Sequence, residues 1–319
     1  MIRVMIVDVH THIWALPQQM APHAMSRYRR GDREPWQRFD AGSAAHRRAA
    51  EPVDLSLIHG LMSKHADTCV SDQQVAAAVA GDPHKRIGLG GVDPLVCNIS
   101  ESLDQIVALK LAGVTISPGG QAMHPCHSNA MKLYEQCQQR KLPVFVHGCA
   151  LFGNKAMMEF ARPELLDEVA ASFPKLPIVV GQIGRPWIEP AMFLLNKHTR
   201  VYADISDLVD EPWQLYNALR LAHRYGASEK LLLGSGFPFC TARQAIVNLY
   251  SINHLVHGTN LPTIPRSQLD GIIQRDVLSY LGINPPFSGA AEGTPPTVNQ
   301  NNRAENQGTP SPADPQARS

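Results

Sequence analysis

Short apolar or β-branched runs alternate along the chain with longer amphipathic stretches, and this rhythm sets the first expectation. The short runs are Val4 to Val7, Thr68 to Val70, Arg86 to Val92, Val114 to Ile116, Val144 to Val146, Ile178 to Val180, Val201 to Ala203 and Leu231 to Leu233. Runs of this kind read as strands. Between them Ile99 to Leu111, Asn129 to Arg140, Pro163 to Phe173, Pro186 to Lys197, Trp213 to Tyr225 and Thr241 to Leu255 read as helices, with Gly113 and Gly226 just past two of the ends. Strands alternating with helices point to βα units around a parallel sheet. Eight strands, with nothing resembling GxGxxG after the first, favour a closed (β/α)8 TIM barrel over an open doubly wound sheet.

Two stretches break the rhythm. Arg27 to Ala50 is rich in Arg and contains Gly31, Pro35, Gly42 and Ser43. It is expected to be a loop inserted after the first strand, either a lid over the barrel end that carries active sites or a solvated basic loop. Residues 285–319 hold seven of the 25 prolines, and Phe287 and Val298 are their only large apolar side chains. Such a segment buries too little surface to offset its ordering entropy, so a barrel domain over 1–284 and a disordered tail over 285–319 are expected.

Composition narrows the function classes. Lys and Arg number 29 against 28 Asp and Glu, a formal net charge of +1, which gives no electrostatic footprint for nucleic acid or an anionic membrane. The apolar runs fall short of the ~20 residues that span a bilayer, and no signal-like apolar region opens the sequence, so a cytoplasmic protein is expected. Six cysteines, at 69, 97, 126, 137, 149 and 240, form no CxxC pair, which suggests reduced thiols.

The chemistry begins at Asp8-Val9-His10-Thr11-His12. In an extended segment residues two apart share a side, so His10 and His12 are expected to present both imidazoles into the barrel mouth. His147 ends the apolar run Pro143-Val144-Phe145-Val146. Three histidines at C-terminal strand ends make a ligand set for Zn2+, with Mn2+ or Fe2+ as alternatives, and leave a fourth position for water.

On these landmarks, together with "GDPHKRIGLGGVDP", "LPVFVHG", "FPKLPIVVGQIGRPWIEP", "RVYADIS" and "EKLLLGSGFPF", the chain from Val7 to about Asn284 resembles the amidohydrolase superfamily. The likeness is to the amidohydrolase-2 group, which includes aminocarboxymuconate-semialdehyde decarboxylase and resorcylate-type decarboxylases. The resemblance implies a TIM barrel with one divalent metal at its C-terminal mouth, acting on small carboxylated or amide-like molecules, and a homodimer. It implies His10, His12 and His147 as metal ligands. At two positions the chain departs from the family pattern. Gln182 in "GQIGRP" stands where the family has a proton-handling His, and Gly236 in "GSGFPF" where it has a ligating Asp. Gln can orient a substrate but has no useful pKa, and Gly has no side chain.

Neighbouring groups then come into question. Asp204, ending the seventh strand, is a candidate proton acceptor at the metal, set against a plain hydrogen-bonded strand end. Asp8, two residues before His10, is expected either to receive a bond from a ligand imidazole or to cap backbone. Arg185 is a candidate fork for a substrate carboxylate, and Trp14 and Trp187 are candidate pocket walls, each set against ordinary surface or core packing. Cys149 reads as a small buried hydrophobe rather than a nucleophile. His124, Cys126 and His127 have no specific ligand spacing, and Thr115 to Ser117 offer no lysine for a binuclear site. Two functions are carried forward: a metal-dependent hydrolase or decarboxylase with altered proton handling, and a retired barrel that binds a ligand or regulates. The large core is expected to fold without metal.

Overall fold

The computed structural model describes residues 5–15, 19, 40–148 and 155–286. Apart from Pro285 and Pro286, the expected tail lies outside these residues, as do Arg27 to Phe39 of the expected insertion and Cys149.

Among the described residues the strands are β1 (Val7–Thr11), β2 (Leu55–His59), β3 (Leu61–Ser63), β4 (Thr68–Val70), β5 (Arg86–Gly91), β6 (Val114–Ile116), β7 (Val144–Val146), β8 (Ile178–Val180), β9 (Val201–Asp204) and β10 (Leu231–Leu232). Eight of them form one parallel sheet in the order β1-β2-β5-β6-β7-β8-β9-β10. The sheet closes where Val9 N donates to Leu233 O (2.9 Å), Gly236 N to His10 O (2.9 Å) and His12 N to Phe237 O (3.0 Å). This seam runs through the HxH motif itself, so β1 is held from both sides at the residues that carry the chemistry.

The main helices are α1 (Ser43–Ala49), α2 (Asp72–Ala80), α3 (Ile99–Ala108), α4 (Ser128–Arg140), α5 (Asp167–Ser172), α6 (Ile188–Lys197), α7 (Pro212–Arg224), α8 (Ala242–Tyr250), α9 (Arg266–Ile273) and α10 (Val277–Leu281). Their starts follow local chemistry. Ser71 and Gln74 form a reciprocal capping box on α2, and Asn98, Thr241 and Asp276 accept backbone N–H bonds at the starts of α3, α8 and α10.

Several element assignments differ from the sequence expectation: β1 lies three to four residues beyond Val4 to Val7, and α2, α9 and α10 fall outside the expected helices. Thr68 to Val70 is a strand, but it pairs antiparallel with β3 in a hairpin outside the barrel, and the second barrel strand is Leu55–His59. Within the expected insertion, Ser43 to Ala49 is helix α1, packed on the barrel through His46, whose Nε2 lies 3.2 Å from Thr11 Oγ1.

Strand alternation sorts the core into two layers. Val7, Val9, Leu55, Leu57, Ile87, Leu89, Phe145, Val179, Tyr202 and Leu232 pack together as the barrel interior. Ile58, Val144, Val146, Ile178, Val180, Val201 and Ala203 pack with the helices. Two residues beyond Leu57, Phe145 and Tyr202 on the same face come His59, His147 and Asp204. The site is therefore the next layer of a filled barrel, on the C-terminal side where strand-end residues do chemistry.

Candidate metal centre

The HxH presents both rings because β1 is irregular. Asp8 pairs with Ser56 and Thr11 with Ile58, so β1 spends one residue more than β2 over this stretch. A bulge of this kind re-aims side chains and is common beside active sites. Val9 then packs in the barrel interior while its sequence neighbour His10 joins a cluster of imidazoles. Thr11 turns to the other side and donates to Leu57 O (2.6 Å). His12 returns to the cluster, its ring centroid 5.3 Å from that of His10.

His10, His12 and His147 are all buried, and each offers one ring nitrogen such that the three lie within 4.8 Å of one another. The centroid distances are 4.4 Å for His10 to His147 and 5.0 Å for His12 to His147. Among the described residues neither nitrogen of His12 has a hydrogen-bond partner, nor has Nδ1 of His147. A buried polar atom left without a partner costs about 1–3 kcal/mol, so these nitrogens call for a ligand that supplies what the protein does not. Neutral imidazoles with free lone pairs fit a borderline divalent metal.

Burial and the Asp204 carboxylate pull on the imidazoles of the cluster in opposite directions. Burial, reinforced by neighbouring imidazoles, pushes His12 and His147 well below the usual histidine range. His10 is the exception. Burial works against its charge, but Asp204 Oδ2, 2.8 Å from His10 Nδ1, outweighs it and raises His10 above its ordinary value. The same pair, with further hydrogen bonds, holds Asp204 below the carboxylate range despite its burial. Nδ1 of His10 therefore carries the proton facing Asp204, and in the neutral ring Nε2 is left with a free lone pair.

Asp204 lies behind His10. Its Oδ1 accepts from Gln182 N (3.3 Å), Ser206 N (3.0 Å) and the Ser206 hydroxyl, and its Oδ2 faces His10. It takes the place beside a ligand ring that the sequence considered for Asp8. Asp8 instead clips the seam, with Oδ1 accepting from Ser235 N (2.9 Å) and His10 N (3.3 Å). The alternation argument placed Asp8 on the side of His10, and the bulge after Asp8 defeats it.

Gln182 is buried with φ +55°, and its Oε1 accepts from Gly148 N (3.2 Å). Gly181 before it is required to be small, since a Cβ there would lie 3.0 Å from Val146 O and 3.5 Å from His10 Cε1. Gly236 has φ +73°. A Cβ there would meet Ser206 Cβ at 3.4 Å and Asp207 N at 3.5 Å, ordinary contacts, so backbone conformation rather than space favours glycine. Trp14 is buried beside His12, ring centroids 5.2 Å apart. Arg185 is half-buried and donates through Nη1 to Asp207 O (3.4 Å). Trp187 lies under the Arg162 guanidinium at 5.9 Å. His124 and His127 accept backbone N–H bonds from Cys126 and Asn129 through their Nδ1 atoms, so both serve the loop before α4.

Sequence reading missed His59. It ends Leu55-Ser56-Leu57-Ile58 as His147 ends its own apolar run, and the signal was lost because the second barrel strand was placed at Thr68 to Val70. The ring stacks on His10 (4.9 Å, 18°), and its Nδ1 lies 3.2 Å from His147 Nε2. Burial, with the neighbouring His10 charge, lowers its pKa to about 3.

Comparisons with known proteins identify the family and the fold. The family model described as Amidohydrolase matches residues 7–255. The chain belongs to the amidohydrolase family. No curated protein matches the sequence. Solved structures with a similar fold include an uncharacterized TIM-barrel protein from Bordetella bronchiseptica (19% identity, 87% of this chain and 99% of that one, TM-score 0.67). Two more are an amidohydrolase from Burkholderia multivorans with bound zinc (12%, 88% and 100%, 0.63) and 2,6-dihydroxybenzoate decarboxylase from Rhizobium (12%, 88% and 99%, 0.59). At these identities the likeness establishes the barrel, which this amidohydrolase shares with them.

Proposed function

We propose that this amidohydrolase is a metal-dependent hydrolase or decarboxylase of a small carboxylated or amide-like molecule, with one divalent ion on His10, His12 and His147. The observation that carries this reading is the convergence of three buried imidazoles, one of them without any hydrogen-bond partner among the described residues. The zinc bound by the Burkholderia protein and the substrate class of the Rhizobium decarboxylase support it by family likeness. Zn2+ is the ion best suited to three neutral nitrogens, with Mn2+ or Fe2+ as alternatives. When bound, such an ion polarises a substrate oxygen and lowers the pKa of water.

The chain's own residues then divide the work. Asp204 holds His10 with its proton on Nδ1 and Nε2 free, acting through that ring rather than on the substrate. Gln182 has its carbonyl taken by Gly148 and keeps its amide N–H groups to orient a substrate oxygen. Arg185 supplies a cation for a substrate carboxylate, and Trp14 walls the pocket beside His12. The substrate is a small molecule, and a cytoplasmic location and a homodimer complete the proposal.

A specific observation favours a second reading, the retired barrel. Gly236 offers no carboxylate, Gln182 cannot carry a proton at neutral pH, and Asp204 is committed to His10. The two readings separate in one experiment. Zinc-loaded and chelator-stripped protein are screened against small aromatic and aliphatic carboxylates for CO2 release, and against lactones and amides for hydrolysis. Turnover by the loaded protein alone, regained when zinc is returned, is the expected result. A bound ion without turnover of any of them would favour the retired barrel.

A further inference from the structure

We propose that His59, at the end of β2, is a positioning residue for the metal centre, fixing the proton of His147 on Nε2 so that its Nδ1 faces the ion as a free lone pair. The proposal rests on the three-histidine reading above. It follows from donors and acceptors taken in order.

Nε2 of His59 lies 2.8 Å from Val9 O. A carbonyl only accepts, so Nε2 carries the N–H and, in the neutral ring, Nδ1 is an acceptor. Two groups face that Nδ1, each at 3.2 Å: the Thr115 hydroxyl and Nε2 of His147. Two lone pairs do not face each other at that distance, so Nε2 of His147 is the protonated nitrogen. Its Nδ1 is then unprotonated, and it is the buried atom that has no partner among the described residues.

The result is a relay from the Val9 carbonyl through His59 and His147 to the centre. It parallels the Asp204 contact that leaves Nε2 of His10 free. His59 touches both ligands, since its ring also stacks on His10 at 4.9 Å, and Phe145 braces it edge-on at 5.0 Å. Partners behind ligating histidines fix tautomer and ring orientation, and their loss typically costs 10–100-fold in metal affinity.

The test begins with ring-nitrogen NMR of 15N-histidine-labelled, metal-free protein, assigned with His59→Asn and His147→Gln. The expected result is protons on Nε2 of both His59 and His147; a proton on Nδ1 of His147 would overturn the proposal. The second measurement is zinc affinity by competition with a chelating dye and the visible spectrum of the cobalt-substituted protein. His59→Phe, which keeps a ring but has no acceptor, is expected to bind zinc 10–100-fold more weakly with altered cobalt bands. His59→Asn, which returns an acceptor near the Nδ1 position, is expected to recover most of that loss. Equal affinity and unchanged bands in His59→Phe would sink the proposal while leaving the three-histidine site standing. Failure of the native protein to bind zinc would instead sink the reading on which it rests.

Discussion

The two sides of the barrel mouth have fared differently. On the side of β1, β2 and β7, four imidazoles are packed, buried and mutually oriented. On the side of β8, β9 and β10, Gln182 and Gly236 offer neither an imidazole nor a carboxylate, while Asp204 is hydrogen-bonded to His10. The difference teaches that holding an ion and moving protons are separable tasks in this fold. The first would depend on imidazoles packed and hydrogen-bonded at strand ends, and the second on single side chains that a substitution can remove.

The largest expected effect comes from the contact that joins an imidazole of the first side to the carboxylate of the second. In Asp204→Asn the side chain can present its amide N–H to His10, which reverses the tautomer and puts a proton on the ligating nitrogen. Zinc affinity is expected to fall about 10–100-fold, roughly 1.4–2.7 kcal/mol, as read by competition with a chelating dye. Unchanged affinity would mean that Asp204 does not serve the holding side.

A smaller effect sharpens the comparison from the other direction. Because neither buried nitrogen of His12 has a partner among the described residues, His12→Leu should raise the stability of the metal-free protein by about 1–2 kcal/mol, measured by urea denaturation. Destabilisation of the metal-free protein would show that His12 contributes to the fold rather than being held by it at a cost.

The smallest effect concerns His46, outside the site and behind Thr11. Burial, with the Arg86 charge nearby, lowers its pKa to about 3. The unfolded chain therefore takes up a proton near pH 6.5 that the folded chain refuses, so stability present above pH 6.5 is lost as the pH falls towards 3, by at most about 1.4 kcal/mol per pH unit. His46→Gln should flatten that limb of a stability-against-pH curve without changing zinc binding at pH 7.5. An unchanged limb would place the acid sensitivity elsewhere.

Much of this was legible in the sequence because barrel strands buried on both faces leave dense apolar runs. Six of the eight barrel strands lie within a residue of the apolar runs that predict them, the first lies three to four residues beyond its run, and a histidine directly after such a run, as at His147, marks the C-terminal mouth. What escaped did so for physical reasons. Leu55 to His59 has Ser56 in its middle and was passed over for Thr68 to Val70, and His59 went with it. The bulge in β1 cannot be seen from alternation, which assumes a regular strand, so of the two roles expected of Asp8 the backbone cap is the one found, and the bond to an imidazole falls to Asp204. The bond from Asp204 to His10 joins residues 194 apart in sequence and depends on barrel closure. The positive φ of Gly236 is likewise a property of the closing seam.

The central claim is that the three histidines hold one divalent ion. The most direct test is metal content by plasma mass spectrometry on protein purified without an affinity tag, native beside His10→Ala and His147→Ala. The account predicts close to one ion per chain in the native protein and less than about a tenth of that in either variant, with all three chains folded by circular dichroism. A native protein that remains free of metal after growth in supplemented medium, or variants that keep it, would contradict the account.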